Sequence, residues 1–292
     1  MPSLLKRHPW TAKFEQWLNE NKLTYRNVPI ARAAGISNGI LLGKPEDSLR
    51  SNVIFFHGLG NDMFFPNILF FKMLLTSGFN ILAVDLDGHG VGQKSIFSLE
   101  SLKTLIATTI DTLGNKTSSS TKPHLCGFSF GAALCLSYVK ENPETVASVT
   151  MIGMPGQLKA SPKLLAEALS PTAASWWRAL NDYGFSGIHP AVGSFRRELY
   201  PVRLADGEKR SYLEVAGSIL RLISVERLLS DFKIPTLGIS GDLDFIALRD
   251  PTATIIGQKN LHWRTIRRAN HFTTMLSPET ARIVCDFLRT RT

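Results

Sequence analysis

The chain has 292 residues, 44% hydrophobic and 20% charged, the composition of a folded protein with room for a large core and an inserted subdomain. Its formal net charge is +9, but the basic residues are scattered, and the densest runs ("RTIRR" at 264–268, "EKR" at 208–210) read as solvated surface, so charge alone does not mark a nucleic-acid module. No window approaches the ~18 uninterrupted apolar residues of a membrane span, and "MPSLLKRHPW" lacks the apolar stretch of a secretory signal.

In chain order, residues before 50 hold a helix over about 11–21 and two edge strands near "TYRNVP" and "NGILL". "SNVIFFHG" (51–58) reads as a strand, followed by a helix over 66–77 that stops at Gly78. "FNILAVDLDG" (79–88) is a second strand, and 98–114 a helix opened by Ser98. "HLCGF" (124–128) is a third strand, with a helix over 130–141 ending ahead of Pro143. Strands at 146–153, 234–241 and 261–266 follow, and "SPETARIVCDFLRT" closes the pattern as an amphipathic helix.

Four of these strands are nearly continuous apolar runs, the mark of parallel strands covered on both faces by crossover helices. "LHWRTI" (261–266) is more polar, as an edge strand should be. The expected fold is therefore α/β, a doubly wound and mostly parallel sheet. Residues 157–232 break the rhythm with short Pro-initiated helices between two core strands. They read as a helical cap inserted into a core formed by 1–156 and 233–292.

Gly127-Phe128-Ser129-Phe130-Gly131 is a G-x-S-x-G pattern with a strand before it and a helix after it. At so sharp a turn the serine takes strained backbone angles that hold its hydroxyl outward. Side chains two residues either side would collide, hence the glycines. A serine hydroxyl needs a base, and the base an orienting acid, in the chain order Ser, acid, His for this kind of turn. Three histidines follow Ser129. His189 falls in the cap block and His262 inside the last strand, which leaves His271, in the loop just past that strand. Asp242 and Asp244 both follow the fifth core strand, and Asp244 is the preferred acid. Backbone N–H groups for an oxyanion are expected at Phe130, after the serine, and at Leu59, after His57-Gly58; His57 itself reads as a structural loop residue.

With these residues in view, the sequence resembles the α/β-hydrolases. "HGLG", "DLDGHG", "GFSFG", "GDLD" and "NHF" stand in that family's order and spacing, most like the monoacylglycerol lipase and serine aminopeptidase-like branch. The resemblance implies a Ser129–Asp244–His271 triad and supports Leu59 and Phe130 as oxyanion donors. The implied activity is cleavage of a carboxylic ester or thioester through an acyl-enzyme, with no cofactor.

Acyl transfer or peptide cleavage by the same triad, and a silent scaffold that binds a ligand or partner, are the alternatives. Phe64, Phe65, Trp176 and Trp177 are expected to line an apolar acyl pocket, so the partner is a small-molecule acyl substrate.

"GHGVGQKS" (88–95) is not a phosphate loop, because Gln93 separates Gly92 from Lys94. No H-E-x-x-H pattern or ligand cluster suggests a metal. The three cysteines (Cys126, Cys135, Cys285) lack paired spacing, which fits a cytoplasmic protein. Oligomeric state is not legible.

Overall fold

A computed structural model describes residues 11–44, 46–47, 50–59, 61–64, 66–87, 89, 98–117, 121–156, 232–244, 246–247 and 259–291. The cap block, with Trp176 and Trp177, lies outside the described residues except at Phe232, as do Phe65 and His189.

Eight strands form one sheet in the order β1-β2-β4-β3-β5-β6-β7-β8. They are β1 (Thr24–Arg32), β2 (Gly35–Gly43), β3 (Asn52–Phe56), β4 (Asn80–Val84), β5 (His124–Phe128), β6 (Ser148–Ile152), β7 (Thr236–Gly241) and β8 (Leu261–Ile266). From β4 to β8 all neighbours are parallel, while β2 runs antiparallel to both β1 and β4. Every residue of β3, β4, β5 and β6 is buried, which is why these strands carry apolar residues without alternation. The more polar β8 occupies the sheet edge, as expected.

The helices are α1 (Thr11–Glu20), α2 (Ile68–Thr76), α3 (Leu99–Gly114), α4 (Phe130–Glu141), α5 (His271–Leu276) and α6 (Pro278–Arg289). Two apolar clusters cover the two faces of the sheet. One draws on α1, α2, α5 and α6 through Phe14, Phe70, Met275 and Val284; the other on α3 and α4 through Leu105 and Leu136. Ser98 caps α3 as its position suggested, accepting from the Ser101 N–H. Two elements are missing from the sequence reading: a single 3-10 turn at Pro143–Thr145, and α5, where a plain loop was expected around His271. Asn270 and Thr273 exchange side-chain and backbone hydrogen bonds at its start and close a capping box.

Strand β3 is flanked by β4 on one side and β5 on the other, so the loops after β3 and β5 leave in opposite directions. Such a switch point, at the carboxyl ends of the strands, is where open parallel sheets place a ligand crevice. The described residues contain no helix long and apolar enough to cross a membrane.

Candidate active site

Ser129 joins β5 to α4 at φ 52° and ψ −117°, backbone angles that non-glycine residues rarely adopt. Its own N–H donates to Ile152 O at 2.8 Å, and its carbonyl accepts from Ala132 and Ala133, so both sides of the turn are fixed. A Cβ on Gly127 would stand 2.5 Å from Ala132 N, against the start of the helix, as the steric reading of the motif requires. Gly131 is needed for a different reason. A Cβ there would lie 2.6 Å from His57 O, at the end of β3, so this glycine lets α4 press against the sheet instead of sparing Gly127. The serine is partly exposed and stands at the positive end of a 12-residue helix.

His271, the first residue of α5, faces this serine. Its Nδ1 donates to Asp244 Oδ2 at 2.9 Å, which leaves Nε2 to accept from the Ser129 hydroxyl, also at 2.9 Å. Asp244 and His271 are each buried, so little water competes for the link. The other carboxylate oxygen of Asp244 accepts from the N–H groups of Ile246 (2.9 Å) and Ala247 (2.8 Å), which fixes its rotamer. Phe128 and Phe272 pack their rings 5.1 and 6.0 Å from the imidazole.

Asp242 points elsewhere. It is exposed and accepts from the Ala269 N–H at 3.1 Å, bracing the turn after β8. The N–H groups of Arg268 and Ala269 hold its carboxyl below the ordinary range. Of the two aspartates, Asp244 is the one brought to His271.

On the other wall, the loop after β3 is held from behind by His57. Its Nε2 accepts from the Leu86 N–H (3.0 Å), so its Nδ1 carries the proton donated to Gly58 O (2.8 Å). Burial, with His89 alongside, keeps this imidazole well below its ordinary range. Asp85 Oδ1 accepts from the Met63 N–H at 2.9 Å and ties down the next part of the same loop. The outcome places Gly58 against the serine: a Cβ on Gly58 would be 3.1 Å from Ser129 Cβ. The Gly58–Leu59 peptide therefore borders Ser129 on one side, and Phe130 follows it on the other. Phe64 is buried in the cluster that also holds Phe128 and Phe272.

Two features went unread in the sequence. Asn61, on this loop, is 2% exposed, and its carboxamide oxygen has no partner. Behind the loop after β4, a buried ion pair joins Arg32 to Asp87, reinforced by Ser37 and Ser101 hydroxyls donating to Asp87 at 3.0 and 2.8 Å.

A sheet of this order with these helices is the α/β-hydrolase fold, and the family model described as "alpha/beta hydrolase fold" matches residues 52–190. The chain is 31% identical over 106 residues to the dihydrolipoyllysine-residue acetyltransferase component of the acetoin cleaving system of Pseudomonas putida. That match covers 36% of this chain and 27% of the relative. Among solved structures it resembles the 2-hydroxy-6-oxo-6-phenylhexa-2,4-dienoate hydrolase of Rhodococcus sp. strain RHA1. The TM-score is 0.67 at 17% identity, over 91% of this chain and 99% of that one. A carboxylesterase of Bacillus subtilis is similar too, with TM-score 0.61 at 18% identity, over 95% of this chain and 96% of the other.

Proposed function

We propose that the protein is a serine hydrolase that cleaves a carboxylic ester or thioester through an acyl-enzyme. The observation that carries this reading is the relay from Asp244 through His271 to Ser129, two links of 2.9 Å ending on a strained, partly exposed hydroxyl.

Ser129 Oγ attacks the acyl carbon while its proton passes to His271 Nε2, and Asp244 stabilises the imidazolium that forms. The carbonyl oxygen becomes an oxyanion, met by the N–H groups of Leu59 and Phe130 and by the positive end of α4. Collapse breaks the bond to the leaving group, which takes the proton from His271. Water then enters by the same base, and its attack on the acyl carbon releases the acid and restores Ser129. No cofactor is required by these steps.

The motif set favours the monoacylglycerol lipase and serine aminopeptidase-like branch, and an apolar acyl group is the substrate we assign. Phe64, Phe65, Trp176 and Trp177 are our choice for its pocket, with 157–232 as the cap. The three cysteines, unpaired in the structure, suit a reducing cytoplasm. The acetyltransferase component among the relatives favours one second reading, in which an alcohol or thiol takes water's place at the acyl-enzyme.

The test is labelling with a fluorophosphonate beside Ser129→Ala. Labelling of wild type alone, at Ser129, is expected. A folded wild type that stays unlabelled would leave a silent scaffold as the better account. Adding ethanol or a thiol during ester turnover separates the acceptors, since transfer yields a new ester or thioester.

A further inference from the structure

The loop after β3 carries two buried asparagines with opposite habits. Asn67 donates through Nδ2 to Asp62 O and Met63 O, both at 3.2 Å, and so holds the loop together. Asn61 makes no such side-chain link among the described residues; only its backbone N–H is engaged, closing a turn onto Gly58 O at 3.2 Å. Its Oδ1 is buried without a partner, although the residue is 2% exposed. Leaving a buried amide group unpaired costs about 1–3 kcal/mol. An apolar residue of the same size would suit a purely structural role better.

Its position suggests what the amide is for. A Cβ on Gly58 would stand 3.1 Å from Ser129 Cβ and 3.2 Å from Asn61 Nδ2. The amide nitrogen therefore lies at most 6.3 Å from Ser129 Cβ, beside the Gly58 end of the Gly58–Leu59 peptide, close enough for both to reach one bound acyl group. We infer that the Asn61 carboxamide is a further donor to the bound acyl group, its N–H meeting the substrate's carbonyl oxygen beside the backbone N–H groups of Leu59 and Phe130. This deepens the reading of Ser129 as nucleophile and rests on it. It also requires an amide at this position. A carboxylate of the same shape offers no N–H and would repel the growing oxyanion.

The experiment uses the full chain and a fluorophosphonate, whose phosphoryl oxygen takes the place of the acyl oxygen, so the natural substrate need not be known. Second-order labelling rates are compared for wild type, Asn61→Ala and Asn61→Asp, with a melting temperature for each. The expected result is a loss of ~100–1,000-fold for Asn61→Ala and a larger one for Asn61→Asp. Asn61→Ala should melt at or above the wild-type temperature. An unchanged labelling rate in Asn61→Ala would overturn the inference and leave the serine hydrolase standing. A rate loss accompanied by a lower melting temperature, or failure to fold, would overturn it too, since the side chain would then be structural. Wild type that never labels would instead remove the nucleophile itself, a result that cannot be confused with the others.

Discussion

Two buried histidines stand at the same edge of the sheet, one after β3 and one at the start of α5, and they differ in what their nitrogens meet. His57 spends both on the backbone, receiving from Leu86 N–H and donating to Gly58 O. His271 spends both on side chains, donating to Asp244 and receiving from Ser129. An imidazole with both nitrogens tied to main chain is a brace, because no proton can leave or arrive without breaking the fold. One that links a carboxylate to a hydroxyl has a path for the proton. Burial is shared by both, so burial alone does not tell the roles apart; the partners do.

The sharpest way to break this contrast is at the acid. Asp244→Asn should lower kcat by ~10⁴-fold, because the amide no longer selects the tautomer that leaves Nε2 free to accept. Asp242→Asn, by contrast, should leave kcat near wild type. Steady-state rates on a 4-nitrophenyl ester measure both, and the reverse ranking would hand the orienting role to Asp242. His57→Phe should act on the other side of the comparison. It strands the Leu86 N–H and the Gly58 carbonyl in a dry site and should cost about 2–4 kcal/mol of stability. Urea unfolding reads this directly, and an unchanged midpoint would contradict the bracing role.

The smallest effect is graded with pH. Burial pushes His89 and His124 down to about 4 and holds His57 well below the ordinary 6.5. Below about pH 6.5 the unfolded chain therefore takes up protons that the folded chain refuses, and stability falls until His89 and His124 also charge near pH 4. Urea midpoints should decline across that window, and His89→Gln should make the decline shallower. An equal slope in that variant would mean His89 is not among the groups responsible.

Much of this was readable from residue order. The buried strands announce themselves as apolar runs because both of their faces are covered, and Gly127 and Gly131 mark the turn because only glycine fits there. The sequence favours Asp244 over Asp242, but residue type and spacing do not tell where either side chain turns. What separates them is that one side chain turns out to brace Ala269 while the other turns inward to His271. Helix α5 stayed hidden because six residues are too few to show a helical period, and its capping box uses Thr273 where Glu or Gln is the usual signal. Asn61 looks like any loop-forming asparagine until its burial is known. The Arg32–Asp87 pair joins residues 55 apart, with nothing local to announce it.

The serine and its histidine are 142 residues apart in the chain. At ~5–20 residues per second, a ribosome takes roughly 7–28 s to pass from one to the other. Throughout that interval the nascent chain contains Ser129 but not His271, so its hydroxyl has no base to take its proton. Only when β7 has paired with β6, and β8 with β7, are all three in place. On the proposed mechanism, synthesis order thus acts as a safety catch: no partial product released before that point has the complete Ser129–Asp244–His271 relay.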